Sequence, residues 1–76
     1  MTSDQKIDEA ILASSDASFR KVAMIIARVS KMLGQNSEEF SERVGNRVRW
    51  LADNGLVEGA GDLTDWRHSE VRLPPE

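Results

Sequence analysis

Apolar residues recur every three or four positions through most of this chain and then switch to alternation near its end. Phe19, Val22, Ala23, Ile26, Val29, Ser30 and Leu33 share one face at about 100° per residue, and Ile25 and Met32 widen it. That spacing predicts a central helix over 17–33. Gly34 ends it, because glycine readily takes the left-handed conformation found after helix termini. Ile7, Ala10 and Ile11 form a shorter stripe and predict a first helix over 3–13, with Thr2 as cap and Gln5 completing a capping box. Ser14-Ser15-Asp16 reads as a loop in which Ser15 or Asp16 caps the second helix. Phe40, Val44, Val48 and Leu51 predict a third helix over 37–54. Asn36 and Glu39 open it and Asp53-Asn54-Gly55 stops it.

Beyond Gly55 the period changes. Leu56-Val57-Glu58 begins a strand expected over 56–60. Ser69-Glu70-Val71-Arg72-Leu73 alternates as a second strand over 69–73, with Val71 and Leu73 inward. Pro74-Pro75 ends the pairing, since proline has no N–H to donate. Gly59 and Gly61 permit tight turns, and Asp62 to His68 form the intervening wing. The expected fold is mainly α with a β-hairpin: a winged helix-turn-helix of three helices followed by a two-stranded wing, in a single domain over 1–76. No strand is expected between the first two helices. The expected core is Ile7, Ile11, Phe19, Val22, Ile26, Val29, Leu33, Phe40, Val44, Val48, Leu51, Leu56, Val71 and Leu73.

Composition narrows the function classes. The 76 residues suffice for one small domain and leave no room for a separate catalytic one. Apolar content of 39% with 30% charge suits a globular chain better than a disordered one. There is no cysteine, which excludes disulfides and cysteine-based zinc sites. No apolar run approaches the roughly 18 residues of a membrane span, and the first residues lack a signal-peptide pattern, so a cytoplasmic protein without a membrane partner is expected. His68 is the only histidine, and no tyrosine is present. Beside Asp62 or Asp65, that histidine is too little for a catalytic or metal site, so no enzymatic activity and no cofactor are expected.

Charge is uneven along the chain. The net charge is −3, yet Arg20, Lys21, Arg28 and Lys31 fall in a stretch without an acid and surround Met24 on the outer face of the second helix. Overall acidity argues against broad nucleic-acid affinity, which depends on neutralising phosphates. On the third helix Arg43, Arg47 and Trp50 stand at i, i+4 and i+7. This stripe suits phosphates or an acidic protein partner. Equally, the arginines could pair with Glu39, Asp62 or Glu70 while Trp50 extends the core. Glu38, Glu39 and Glu42 crowd the first turn of the same helix, where a recognition helix meets base edges, and three carboxylates there oppose DNA reading. Trp66-Arg67-His68 is a candidate wing tip, with Trp66 alternatively folded over Leu63.

Phe19-Arg20-Lys21-Val22-Ala23, Arg43-Val44, Leu51-Ala52-Asp53-Asn54-Gly55, Gly61-Asp62-Leu63 and Trp66-Arg67-His68-Ser69-Glu70-Val71-Arg72-Leu73-Pro74, within residues 19–74 and densest in the C-terminal third, carry a resemblance. The chain there resembles a bacterial family of winged-helix domains of unknown function. That family often forms the C-terminal part of a longer protein. The resemblance implies the fold and brings no activity with it.

The expectation is therefore a non-catalytic interaction or regulatory module that binds another protein, with a homodimer allowed. The alternative is a small DNA-binding regulator using the third helix and the wing. Because the hairpin follows the third helix after Gly55, Arg43, Arg47, Trp66 and Arg67 are expected in one neighbourhood as the binding face.

Overall fold

The structure, a computed structural model, describes residues 2–75. Three helices, α1 (Asp4–Ser14), α2 (Val22–Leu33) and α3 (Glu38–Asp53), are joined to three short strands, β1 (Arg20–Lys21), β2 (Glu58–Ala60) and β3 (Glu70–Arg72), with a 3-10 turn at Trp66–His68. The strands form one antiparallel sheet in the order β1-β3-β2. The fold is thus mainly helical with a three-stranded sheet, not a two-stranded hairpin alone.

The third strand is the main correction to the sequence reading. Arg20 and Lys21 pair with Val71 and Glu70 and are extended, so α2 starts at Val22, later than the periodicity predicts. No side chain caps α2. Its first N–H, from Val22, instead donates to the Ser69 carbonyl at 2.9 Å, so β3 satisfies a group that an Asp or Ser usually serves. Ser15 acts at the end of α1, donating its hydroxyl to the Ile11 carbonyl at 2.7 Å. The Asp16 carboxylate accepts from the Ser18 N–H at 2.9 Å and from Arg20 Nε at 3.1 Å.

The other caps lie one residue from their expected places. Ser3, not Thr2, caps α1 by accepting from the Lys6 N–H at 3.2 Å. Ser37, not Asn36, caps α3 by accepting from the Phe40 N–H at 3.0 Å. Gly34 ends α2 at φ 67°, in the left-handed region, as the sequence suggests. Gly55 takes φ 75° after α3, and the Leu56 N–H then donates back to the Leu51 carbonyl at 2.9 Å.

The core lies where the three helices meet the sheet. Ile7, Ile11, Val22, Ile26, Val29, Phe40, Val44, Val48, Leu51 and Val71 are buried as expected, and Ala10, Ile25 and Val57 join them. Four expected core residues sit elsewhere. Leu56 is 47% exposed while Val57 is 2% exposed, because the chain leaving Gly55 turns the second of the two inward. Phe19, Leu33 and Leu73 are half-buried. Phe19 lies before β1, and the Arg72 guanidinium covers its ring at 4.6 Å.

Candidate interaction surface

Arg43 and Arg47, one turn apart on α3, meet Asp4 and Asp8, one turn apart on α1. Arg43 Nη2 donates to Asp4 Oδ1 at 2.9 Å. Arg47 grips Asp8 with two bonds, Nε to Oδ1 at 2.9 Å and Nη2 to Oδ2 at 2.7 Å. The fork of a guanidinium matches a carboxylate in this geometry, which strengthens the pair. The Asp8 hydrogen bond raises the Arg47 pKa above its ordinary value, against the desolvation that opposes it. Arg47 also stacks on Trp50 at 4.4 Å, and Trp50 itself remains exposed. The partners expected from sequence, Glu39, Asp62 and Glu70, are not the ones used. α1 packs along this flank of α3 and presents its own acids first.

Trp66 and Arg67 form a separate group. Trp66 is half-buried against α3 at Gly45, where an added Cβ would lie 3.0 Å from Trp66 Cδ1. The Arg67 guanidinium lies 4.3 Å over the Trp66 ring and 3.8 Å from Glu38. Gly45 is two residues from both Arg43 and Arg47, about 200° around the helix, so this group occupies the opposite flank of α3. The four residues expected in one neighbourhood therefore split into two pairs. Asp62 holds the turn between β2 and β3, accepting from the Thr64 N–H at 2.9 Å and the Thr64 hydroxyl at 2.6 Å, which lowers its pKa.

What α3 turns outward is mostly acidic. Glu38, Glu39, Glu42 and Asp53 are exposed, with Asn46 and Arg49 among them. Arg49 donates to Asn46 Oδ1 at 3.4 Å. On α2 the outer face carries Met24, Arg28 and Lys31, with Lys21 of β1 exposed just before it, and Arg28 donates to the Ser14 carbonyl at 3.0 Å, tying α2 to the end of α1.

Between α2, the α2–α3 turn and Trp66 runs an open groove of about 590 Å³. Ala23, Ala27 and Ser30 line it above the buried Ile26, with Trp66 as an apolar wall and Lys31 also in its lining. The sequence reading placed Ala23 and Ser30 on the core face and so missed the groove. Their small size at i, i+4 and i+7 was the available signal. A separate, smaller hollow of about 280 Å³ is lined by Lys21, Arg67, His68, Ser69 and Glu70. His68 Nδ1 is 2.8 Å from Asp65 Oδ2 on the open surface. Among the described residues no group of three or more His, Asp or Glu side chains is placed to hold a metal ion, and no helix is long and apolar enough to cross a membrane.

No protein-family model matches the chain, no curated protein matches it significantly, and no solved structure does so either.

Proposed function

We propose that this chain is a winged-helix module that binds another protein and carries no catalytic site. The element order α1-β1-α2-α3-β2-β3, with β1 added to the hairpin, supports the winged-helix reading. One observation carries the functional part: Arg43 and Arg47 are engaged by Asp4 and Asp8, leaving α3 an outward face dominated by carboxylates. A helix entering a DNA groove must sit close to phosphates, and uncompensated carboxylates there are unfavourable.

A second reading, DNA binding through α3 and the wing, draws on Arg67 and His68, which are exposed beside Lys21. Titrating mixed-sequence duplex DNA against the protein by fluorescence anisotropy, over a range of salt concentrations, separates the two. The expected result is no saturable binding tighter than about 10 μM at roughly 50 mM salt. Tight binding that weakens steeply with salt would reverse the order of the readings.

A further inference from the structure

We propose that the groove between α2, the α2–α3 turn and Trp66 receives an amphipathic helix of a partner protein, with acidic residues flanking its apolar stripe. The proposal deepens the protein-binding reading and rests on it.

The floor sets the shape of the occupant. Ala23, Ala27 and Ser30 follow one row of α2, and such short side chains let a second helix approach at the near end of the usual range of about 8–10 Å. From Ala23 to Gly34 the floor runs about 16 Å, the length of three helical turns. Trp66 gives one wall an apolar character, and Ile26, almost fully buried, lies beneath the floor. Trp66 is backed by Gly45, so its ring is a placed surface rather than a loose one. Recognition of an apolar helix face by a groove of this kind requires residues at i, i+3 or i+4 and i+7 on the ligand.

Charge sets its chemistry. Lys31 lines the groove and enters no ion pair among the described residues. Arg67 lies over the Trp66 ring, and among the described residues it pairs with Glu38 at 3.8 Å, with both side chains mostly exposed. A pair so long and so solvated is weak and yields readily to a better-placed acid. A helix with acids on both sides of its apolar stripe therefore meets Lys31 on one side of the groove and Arg67, over the Trp66 ring, on the other. The acidic helix of a second copy fits less well, because Asp4 and Asp8 of α1 are already held by Arg43 and Arg47. Nucleic acid leaves the apolar floor unused.

A phage-displayed library of 15-residue peptides built on a helical scaffold pattern, selected on the 76-residue protein, tests this. Enriched peptides are then titrated by fluorescence anisotropy against wild type, Ala27→Trp, Lys31→Glu and Glu38→Gln, each checked for folding by circular dichroism. The expected outcome is enrichment of acids flanking an apolar stripe. Affinity should fall at least tenfold with Ala27→Trp, which fills the floor, fall several-fold with Lys31→Glu, and rise with Glu38→Gln, which removes the internal competitor. If Ala27→Trp fails to fold, the exposed Lys31→Glu and Glu38→Gln variants decide, by their opposite signs. Neutral or basic consensus sequences, no enrichment, or binding indifferent to these variants would overturn the groove assignment. Peptides that bind elsewhere on the surface would overturn the groove alone and leave the protein-binding reading standing. Tight, salt-sensitive duplex DNA binding without peptide enrichment would overturn both.

Discussion

Arg47 and Asp8, 39 residues apart in sequence, are joined by two parallel hydrogen bonds of 2.9 and 2.7 Å, with their side chains only 21% and 19% exposed. This pair fastens the first helix to the third. It also converts what looks like a binding arginine into a structural one.

Arg47→Ala should therefore destabilise the fold by about 1–2 kcal/mol, since it strands Asp8 in a partly enclosed position. Asp8→Ala should cost a similar amount, and the double variant should cost less than the sum. Arg43→Ala should cost less than about 1 kcal/mol, because the Arg43–Asp4 pair is open to solvent. Urea denaturation of the four variants measures all of this. Equal losses at Arg43 and Arg47 would contradict the role assigned to burial.

Gly45 and Trp66 should couple with opposite sign. A helical Gly→Ala change ordinarily gains up to about 1 kcal/mol. Here the new Cβ meets the Trp66 ring at 3.0 Å, so the gain should be small or absent in wild type and appear in a Trp66→Ala background. Thermal melts of the two single variants and the double variant test it. A full gain from Gly45→Ala alone would mean that Trp66 yields freely and is not a fixed wall.

Leu56 and Val57 offer a check on the strand entry. Val57→Ala should cost about 1–2 kcal/mol through lost burial and the cavity left behind. Leu56→Ser should lie within about 0.5 kcal/mol of wild type, as for an ordinary surface change. Chemical denaturation with the reverse ranking would restore Leu56 to the core.

Acid should act through two aspartates, the half-buried Asp16 and the exposed Asp62. Asp16 is held below its ordinary 3.8 chiefly by the Ser18 N–H, with Arg20 and Arg28 pulling the same way and desolvation opposing. Asp62 is lowered by the Thr64 hydroxyl and N–H. A folded pKa below the unfolded one gives stability that is present in full above the unfolded value and is lost as pH falls through the folded one. An Asp16→Asn/Asp62→Asn variant should thus lose less of its Tm than wild type as pH is lowered from about 5 to about 2. Parallel Tm curves through that range would remove the linkage.

The one-dimensional pattern sufficed for the three helices, the hairpin and most of the core. Those features come from local periodicity: Val22, Ile26 and Val29 need only share a helix face, and Gly34 and Gly55 need only follow a helix end. The caps of α1 and α3 were legible to within one residue, because Thr2-Ser3 and Asn36-Ser37 each offer two competent neighbours and only the turn geometry chooses between them. The cap expected for α2 at Ser15 or Asp16 was not formed, because β3 serves the Val22 N–H instead.

Tertiary structure decided the rest. The Arg20–Lys21 strand exists because β3 supplies its partner, and two residues carry no periodicity of their own. Arg43 and Arg47 met unforeseen partners because α1 comes to rest against α3, bringing Asp4 and Asp8 across 39 residues. The groove beside Trp66 is likewise a product of assembly. Ala23, Ala27 and Ser30 are only small residues at helical spacing along the chain, and they become a floor only when the α2–α3 turn and Trp66 close on one side of α2. Local hydrophobic spacing can specify elements, but which charges meet and where a hollow opens depend on contacts between segments far apart in sequence.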